Sequence, residues 1–511
     1  MKRRIVATLL LIVILMSMLA ACGTDKPDPT EPPATQQPTT NQGGEQNKPT
    51  EPPKTVGNFQ VPEGGYDGSE VTIKFYHTMG SNLSTVLDLY IEEFNKLYPN
   101  IHVESSSVGG YDDVREQIST EITVGNQPNI AYCYPDHVAL YNMANAVQSL
   151  DVLIDADKTV KVKDKAGNEI ELPIGLTQEQ IDDFIQGYYN EGRQFGDGKM
   201  YSLPLSKSTE VLYYNKTYFE ANNISVPTTW DELEAVCRRI LEIENYNPTC
   251  VPLGYDSESN WFITMCEQLG SPYTSATGTK YLFNNDTNKQ FVERFASWYY
   301  DGLITTQEIY GAYTSGMFVQ QDKTKTYSFM SIGSSAGATN QRPTKGADGY
   351  PFEVGIAPIP QVDPSNPKVI SQGPSLVILN NENRQEVIAS WLFVKYLTTC
   401  IEFQAEFSMV SGYMPVLESV MENPVYKEDF LDKADGGDNI AALSVKVGLQ
   451  MKNAYYVSPA FTGSSVARDE VGNIMQNVFI NYGAYSNKAE LLDEQFANAI
   501  AICERKYPSS N

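Results

Sequence analysis

Seven cysteines, three histidines and sixty-three acidic side chains are the groups of this 511-residue chain that could hold a metal, attack a substrate or move a proton. Their spacing argues against all three. Cys133, Cys237, Cys250, Cys266, Cys400 and Cys503 are scattered with no C-x-x-C pair, and His77, His102 and His137 are dispersed, so no metal-ligand pattern is present. We expect neither metal nor cofactor. Two carboxylates about 5–10 Å apart would suit glycosidic-bond cleavage, but among so many acids such a pair can always be proposed. Cys22 stands apart, because it closes Leu19-Ala20-Ala21-Cys22 directly behind an apolar run.

That run gives Cys22 its meaning. Lys2, Arg3 and Arg4 precede an apolar stretch from Ile5 to Met16 and a small-residue site, the three regions of a secretory signal peptide over residues 1–21. The stretch is short for a bilayer span, which needs about 20 apolar residues. Leu19–Cys22 also resembles the bacterial lipobox, which implies a lipid on Cys22 as the new N-terminus. The expected product is exported and lipid-anchored on the extracytoplasmic face of a cell membrane. The stretch behind it, residues 22–69, is rich in Pro, Thr, Gln and Gly, with "EPP" at 31–33 and 51–53. It cannot offset its ordering entropy and reads as a disordered linker, with a reach of roughly 35 Å for about 40 residues.

The formal net charge of −26, more negative once the leader is lost, excludes nucleic acid as a partner. In an exported protein the six later cysteines can pair in fifteen ways. Cys237, on an apolar helical face, equally fits a buried free thiol.

From residue 70 the pattern alternates between strands and helices. "EVTIKFYH" reads as a strand, followed by a helix with Leu87, Tyr90, Ile91, Phe94 and Leu97 on one face and a stop before Pro99. "IHVESSSV" and "NIAYCY" read as further strands around the helix "DDVREQISTEITVG". The class is α/β with a largely parallel sheet. Ligand loops in such sheets lie beyond the strand C-terminal ends, here at His77–Ser81, Gly109–Asp112 and Tyr134–His137.

The strongest internal motif is "VLYYNKTYFEANNISVPTTWDELEAVCRRILEI" from Val211, a strand–loop–helix with Thr229 and Glu232 as a capping box. It resembles the second-lobe opening of family-1 extracellular solute-binding proteins of ABC importers. "EFNKLYPNIHVE", "QPNIAYCYPDH", "DGKMYSLPLSKSTEVLYYN" and "SGYMPV" are similar to further segments of that family in the same order.

The resemblance implies a two-lobed, type II periplasmic-binding-protein-like fold, each lobe a mostly parallel sheet flanked by helices. The N-terminal lobe would take 70–204 plus 373–415, and the C-terminal lobe 205–372 plus 416–508. Crossings would fall near Leu203–Thr209, near Gln372–Leu376 and after Met414. The protein would be no enzyme. It would bind a mono- or oligosaccharide in the interlobe cleft and, as a monomer, deliver it to ABC permease and ATPase subunits, on a surface of Gram-positive type.

Hydroxyls want planar carboxylates and amides, and sugar rings want aromatic platforms. The resemblance assigns such roles to Tyr76, His77, Tyr111, Asp136, Lys207, Trp261, Gly333, Ser334, Gly373 and Met414, with Tyr134 beside them. Trp261 reads equally as core, and Asp136 equally as a helix cap. "HTMGSN" at 77–82 is also similar to the glycerol-3-phosphate or glycerophosphodiester subgroup. Only Lys207 and Arg342 are basic among the cleft-facing segments, which favours a neutral sugar. A sensor subunit for a membrane kinase and a surface glycoside hydrolase are the readings from other classes.

Overall fold

The computed structural model describes residues 59–164 and 166–509. Residues 1–58, on which the expected signal peptide, the Cys22 lipid site and most of the expected linker fall, lie outside the described residues.

The first sheet begins where alternation demands it. β1 (Val71–His77) buries every second residue, and α1 (Ser81–Leu97) covers it with Val86, Leu87, Tyr90, Ile91 and Phe94. β2 (Ile101–Ser107) pairs parallel with β1. α2 (Tyr111–Val124) ends on Gly125 in the left-handed region, β3 (Ile130–Cys133) is wholly buried, and α3 (Pro135–Asn142) starts on a proline. A short helix, α4 (Gln186–Glu191), and β4 (Leu203–Pro204) lead to the second sheet. That sheet is built from β5 (Glu210–Asn215), β6 (Leu253–Tyr255), β7 (Ile304–Thr306), β8 (Met330–Ser334) and β9 (Val354–Pro358). Between them lie α5 (Trp230–Ile243), where Thr229 and Glu232 do form a reciprocal cap, and α6 (Glu258–Leu269). β10 (Ser375–Ile378) returns to the first sheet, and α7 (Arg384–Thr399) and α8 (Ile401–Ser411) pack there. α9 (Ser464–Asn481) packs with the second core.

Strand orders are β2-β1-β3-β10-β4 and β9-β5-β8-β6-β7. Each sheet carries a larger antiparallel share than the alternation indicates. β10 runs antiparallel to β3 and β4, and β5 antiparallel to β8 and β9. Strands that arrive by a crossing need no βαβ connection, so parallel pairing is not imposed on them.

The chain passes between the sheets in a narrow band. Lys207 and Met414 exchange backbone hydrogen bonds at 3.0 and 2.6 Å, and Ser208 and Gln372 do so at 2.8 Å each way. Gly373 is required there: its φ is +102°, and a Cβ would fall 2.5 Å from the Ser206 carbonyl oxygen.

Two boundaries move. Phe59 and Tyr66 are buried in the first core, so the ordered body starts before residue 70, because apolar side chains inside the presumed linker find a surface to cover. Beyond residue 416, Leu417, Val420, Tyr426 and Phe430 also pack into the first core rather than the second, with the Tyr426 hydroxyl 2.7 Å from Ser408 Oγ. The chain joins the second sheet's side only later, where Ser444 Oγ donates to the Ser335 carbonyl at 2.8 Å. A two-stranded hairpin, Thr159–Lys163 with Glu169–Pro173, had no counterpart in the pattern reading. All six cysteines among the described residues are free thiols, five of them buried.

Candidate functional site

Three helices start at one cavity. Gly110 to Asp113 at the head of α2, Pro135 to His137 at the head of α3, and Ser464 and Ser465 at the head of α9 all line a chamber of about 670 Å³, closed below by the crossing residues Ile370 to Gly373. Helix N-termini carry partial positive charge, and the chamber balances it with acids. Asp112, Asp113, Asp136, Glu191 and Asp469 face Arg115 and Arg468 there, five carboxylates against two guanidinium groups. The Tyr111 and Tyr134 rings stack with centroids 4.2 Å apart. Asp136 Oδ2 accepts a hydrogen bond from Ser465 Oγ at 2.6 Å, joining α3 to α9. Burial would raise the Asp136 pKa, but His137, the Ser465 hydroxyl, Arg468 and Arg115 together hold it below the ordinary value.

A second chamber of about 750 Å³ lies against β5, β6 and β8 and shares Tyr313 and Gln372 with the first. Its wall holds Glu210, Asp256, Asn260 and Gln341. Glu210 accepts from Tyr255 Oη at 2.6 Å and from Asn260 Nδ2 at 2.9 Å. Burial pushes its carboxyl up to about 7 against those two donors. Asn260 Oδ1 in turn accepts from Gln372 Nε2 at 3.2 Å and from Arg468, so the two chambers share one polar network.

Of the residues singled out from the sequence, Tyr111, Asp136 and Gly373 line the first chamber, with Tyr134, and Ser334 lines the second. Six others do not line either. Trp261 is fully buried, its ring 4.6 Å from that of Tyr255 and nearly parallel; its neighbour Asn260 reaches the chamber, and the 100° step along a helix turns Trp261 into the core. His77 closes β1 instead of opening a loop. Its Nδ1 accepts from the Met79 N–H at 3.1 Å, and burial lowers its pKa to about 4. Tyr76 reaches Glu121 on α2 at 3.3 Å.

Lys207 is buried against Glu191 at 2.6 Å and donates to the Gly373 carbonyl at 3.2 Å, so it ties the crossings together from behind the cleft wall. Met414 packs its sulfur against the hydroxyls of Tyr188 and Tyr455. Gly333 sits inside β8, where a Cβ would lie 2.7 Å from Asp256 Oδ2; its role is to make room for that carboxylate. Arg342 donates to the carbonyls of Gly437 and Asp438, away from both chambers.

The basic groups of the cleft are therefore Arg115 and Arg468, not Lys207 and Arg342. Arg115 was within reach of the sequence, since it lies four residues beyond Tyr111 on the same helical face. Arg468 and Tyr313 had no local signal, and Gln372 was read only as part of a crossing.

The family description "Bacterial extracellular solute-binding protein" matches residues 90–431. This chain belongs to that family. A curated relative, the sn-glycerol-3-phosphate-binding periplasmic protein UgpB of Salmonella typhimurium, is 23% identical over 385 residues, 72% of this chain and 79% of the relative. Among solved structures, an ABC substrate-binding protein from Listeria monocytogenes in complex with cycloalternan superposes with a TM-score of 0.64 at 16% identity, covering 86% of this chain and 99% of that one. UgpB from Mycobacterium tuberculosis in complex with glycerophosphocholine gives 0.62 at 15% identity, covering 85% and 98%. At these identities the superpositions establish the two-domain fold. The chain is therefore an extracellular solute-binding protein, and the relatives named above are described as binding proteins. Among the described residues no helix is long and apolar enough to cross a membrane, and no acid, histidine and cysteine cluster could hold a metal.

Proposed function

We propose that the protein binds a neutral carbohydrate in the two-chambered cleft and delivers it, as a monomer, to its importer. The observation that carries this reading is the first chamber's lining: five carboxylates against two guanidinium groups, beside a stacked tyrosine pair. Carboxylates accept from sugar hydroxyls, guanidinium groups donate to them, and tyrosine faces take the C–H surface. A phosphate dianion in the same place would meet a net negative wall. Closure would turn about the three crossings, with the two sheets and their helices as the moving bodies.

A glycerol-3-phosphate or glycerophosphodiester ligand is the second reading. It is favoured by Arg115 and Arg468, which can engage phosphate oxygens bidentately, and by the glycerol-3-phosphate and glycerophosphocholine named for the two UgpB proteins, whereas the Listeria neighbour holds cycloalternan. A thermal-shift panel of mono- and oligosaccharides, glycerol-3-phosphate and glycerophosphocholine separates the two. Stabilisation by a sugar alone supports the first reading, and stabilisation by a phosphate ester alone overturns it.

The anchor is part of the same proposal. A lipid on Cys22 and the polar linker would hold a freely turning receptor near its transporter on a surface without an outer membrane. Cys22→Ser should move the protein from the membrane fraction to the medium, and continued membrane association without lipid would refute the anchor.

A further inference from the structure

In the first two crossings, Ser208 and Gln372 are bound through their backbones to neither sheet. On the first-sheet side, Leu205 donates to the Pro374 carbonyl at 3.1 Å and its own carbonyl accepts from Gln404 of α8 at 2.9 Å. Lys207 is tied to Met414, behind which the third crossing stays with the first core through Phe430. On the second-sheet side, the Thr209 N–H donates to Oγ of Ser335, directly after β8, at 3.1 Å, and the Thr209 carbonyl accepts from the Ser335 N–H at 2.7 Å. Thr209 Oγ1 donates to the Ile370 carbonyl at 2.7 Å, and the Ser371 N–H to the Tyr456 carbonyl at 2.9 Å. Between these anchored stretches, the backbones of Ser208 and Gln372 bond only to each other among the described residues.

A buried cation fixes the first-sheet end of this junction. Lys207 and Glu191 are both buried. An ammonium has three N–H donors, and these meet Glu191 Oε1 at 2.6 Å, the Gly373 carbonyl at 3.2 Å and Ser375 Oγ at 3.4 Å. A charge taken out of water needs such a full set of partners, and the best-attested use of a buried ion pair is to specify register. Lys207 therefore holds the two crossings side by side immediately before the junction. Gln372 also lines both chambers, and its Nε2 donates to Asn260 Oδ1 at 3.2 Å.

We propose that Ser208 and Gln372 form the joint about which the two sheets turn, and that Lys207 is the positioning residue that sets its geometry. A hinge is a few residues that absorb the change in φ and ψ. Torsions at these two positions can change without breaking a backbone bond to either sheet, whereas a turn one residue earlier or later would break the bonds of Lys207 to Met414 or of Thr209 to Ser335. Because Gln372 is also a cleft residue, cargo touches the joint itself. This rests on the proposed closure about the crossings and narrows it to two residues, with equal force for a sugar or a phosphate ester.

The test is single-molecule energy transfer on the full chain carrying Cys22→Ser and Cys400→Ser, the five other native thiols being buried. Dyes go on Val124→Cys, at the end of α2, and Tyr300→Cys, beside Trp298 of the second core, positions 74% and 66% exposed. Ser208→Gly, which frees the backbone torsions, should broaden the efficiency peaks, while Ser206→Gly, within the anchored stretch, should leave their width unchanged. Lys207→Met should change the ratio of open to closed molecules by about threefold or more. A merely structural role would lower the urea midpoint and leave that ratio unaltered in the folded molecules. If Lys207→Met does not fold, Ser375→Ala, which removes the longest of the three bonds, should move the ratio by a smaller factor. Equal broadening by both glycine variants, or by neither, overturns the joint, and a ratio indifferent to Lys207 and Ser375 overturns the positioning role. One peak that stays single and unmoved in every variant removes closure itself, which is a different failure from two peaks that ignore these residues.

Discussion

Two aromatic stacks of similar geometry serve opposite ends. Tyr111 and Tyr134 stack at 4.2 Å between centroids, and Tyr255 and Trp261 at 4.6 Å. The tyrosine pair sits where the chain leaves the C-terminal ends of β2 and β3, at the first residue of α2 and the residue capping α3, and it lines the first chamber. The tryptophan pair sits against Trp230 and Phe295 in the middle of the second core. The larger and more sugar-like platform is the one no ligand can reach. Tyr255 also ends a strand and is fully buried, so what covers a ring, not its size or its place at a strand end, makes an aromatic available.

The contrast breaks most sharply at Trp261. Trp261→Ala should cost about 3–5 kcal/mol of stability through cavity formation, read from denaturant midpoints, while the folded fraction keeps its ligand affinity. An affinity loss without destabilisation would return Trp261 to the cleft.

Tyr111→Ala and Tyr134→Ala should behave the other way. Each should weaken binding by about 0.5–1.5 kcal/mol beyond the contact area lost in calorimetry, and the full effect should appear only with sugars that stack. Equal destabilisation by all three substitutions would erase the distinction between the stacks.

A smaller effect links the buried stack to the cleft. Tyr255 donates to Glu210, whose pKa is raised by burial from 4.5 to about 7. Between about pH 4.5 and 7 the folded state therefore holds a proton that the unfolded state has lost, and stability falls as pH rises through that window. Glu210→Gln should flatten this part of the profile. The check is the difference in urea midpoint between pH 5 and 7.5 for the two proteins, and parallel profiles would mean that Glu210 is not the group responsible.

Local signals carried the parts of the fold that local physics decides. Alternation in Val71–Phe75 and the cap at Thr229 and Glu232 act within a few residues, so the sequence displays them, whereas Gly373 is demanded by the distant Ser206 carbonyl. The strand-end loops also led to Tyr111, Tyr134 and Asp136. What stayed hidden depends on distant pairing. Ser465 meets Asp136 across 329 residues, and Arg468 lies on a helix whose pattern gives no hint of a cleft. Trp261 and Asn260 are adjacent in sequence and differ only in the direction each faces, which tertiary packing fixes. The hairpin at 159–173 alternates too little on its second strand to be read, since four of those five residues are exposed.

The hydrogen bond from Ser465 to Asp136 has a consequence for traffic at the transporter. It joins the head of α3 to the head of α9 at the first chamber, and a bond to a charged acceptor contributes about 1.5–3 kcal/mol. If the proposed closure parts these two helix heads on opening, the bond would add to the stability of the shut form with or without a ligand. Apparent affinity gains from a larger pre-shut fraction, while the permease meets more receptors with nothing to hand over. On that reading the Ser465 hydroxyl would weight the balance between sensitivity at low solute and futile docking.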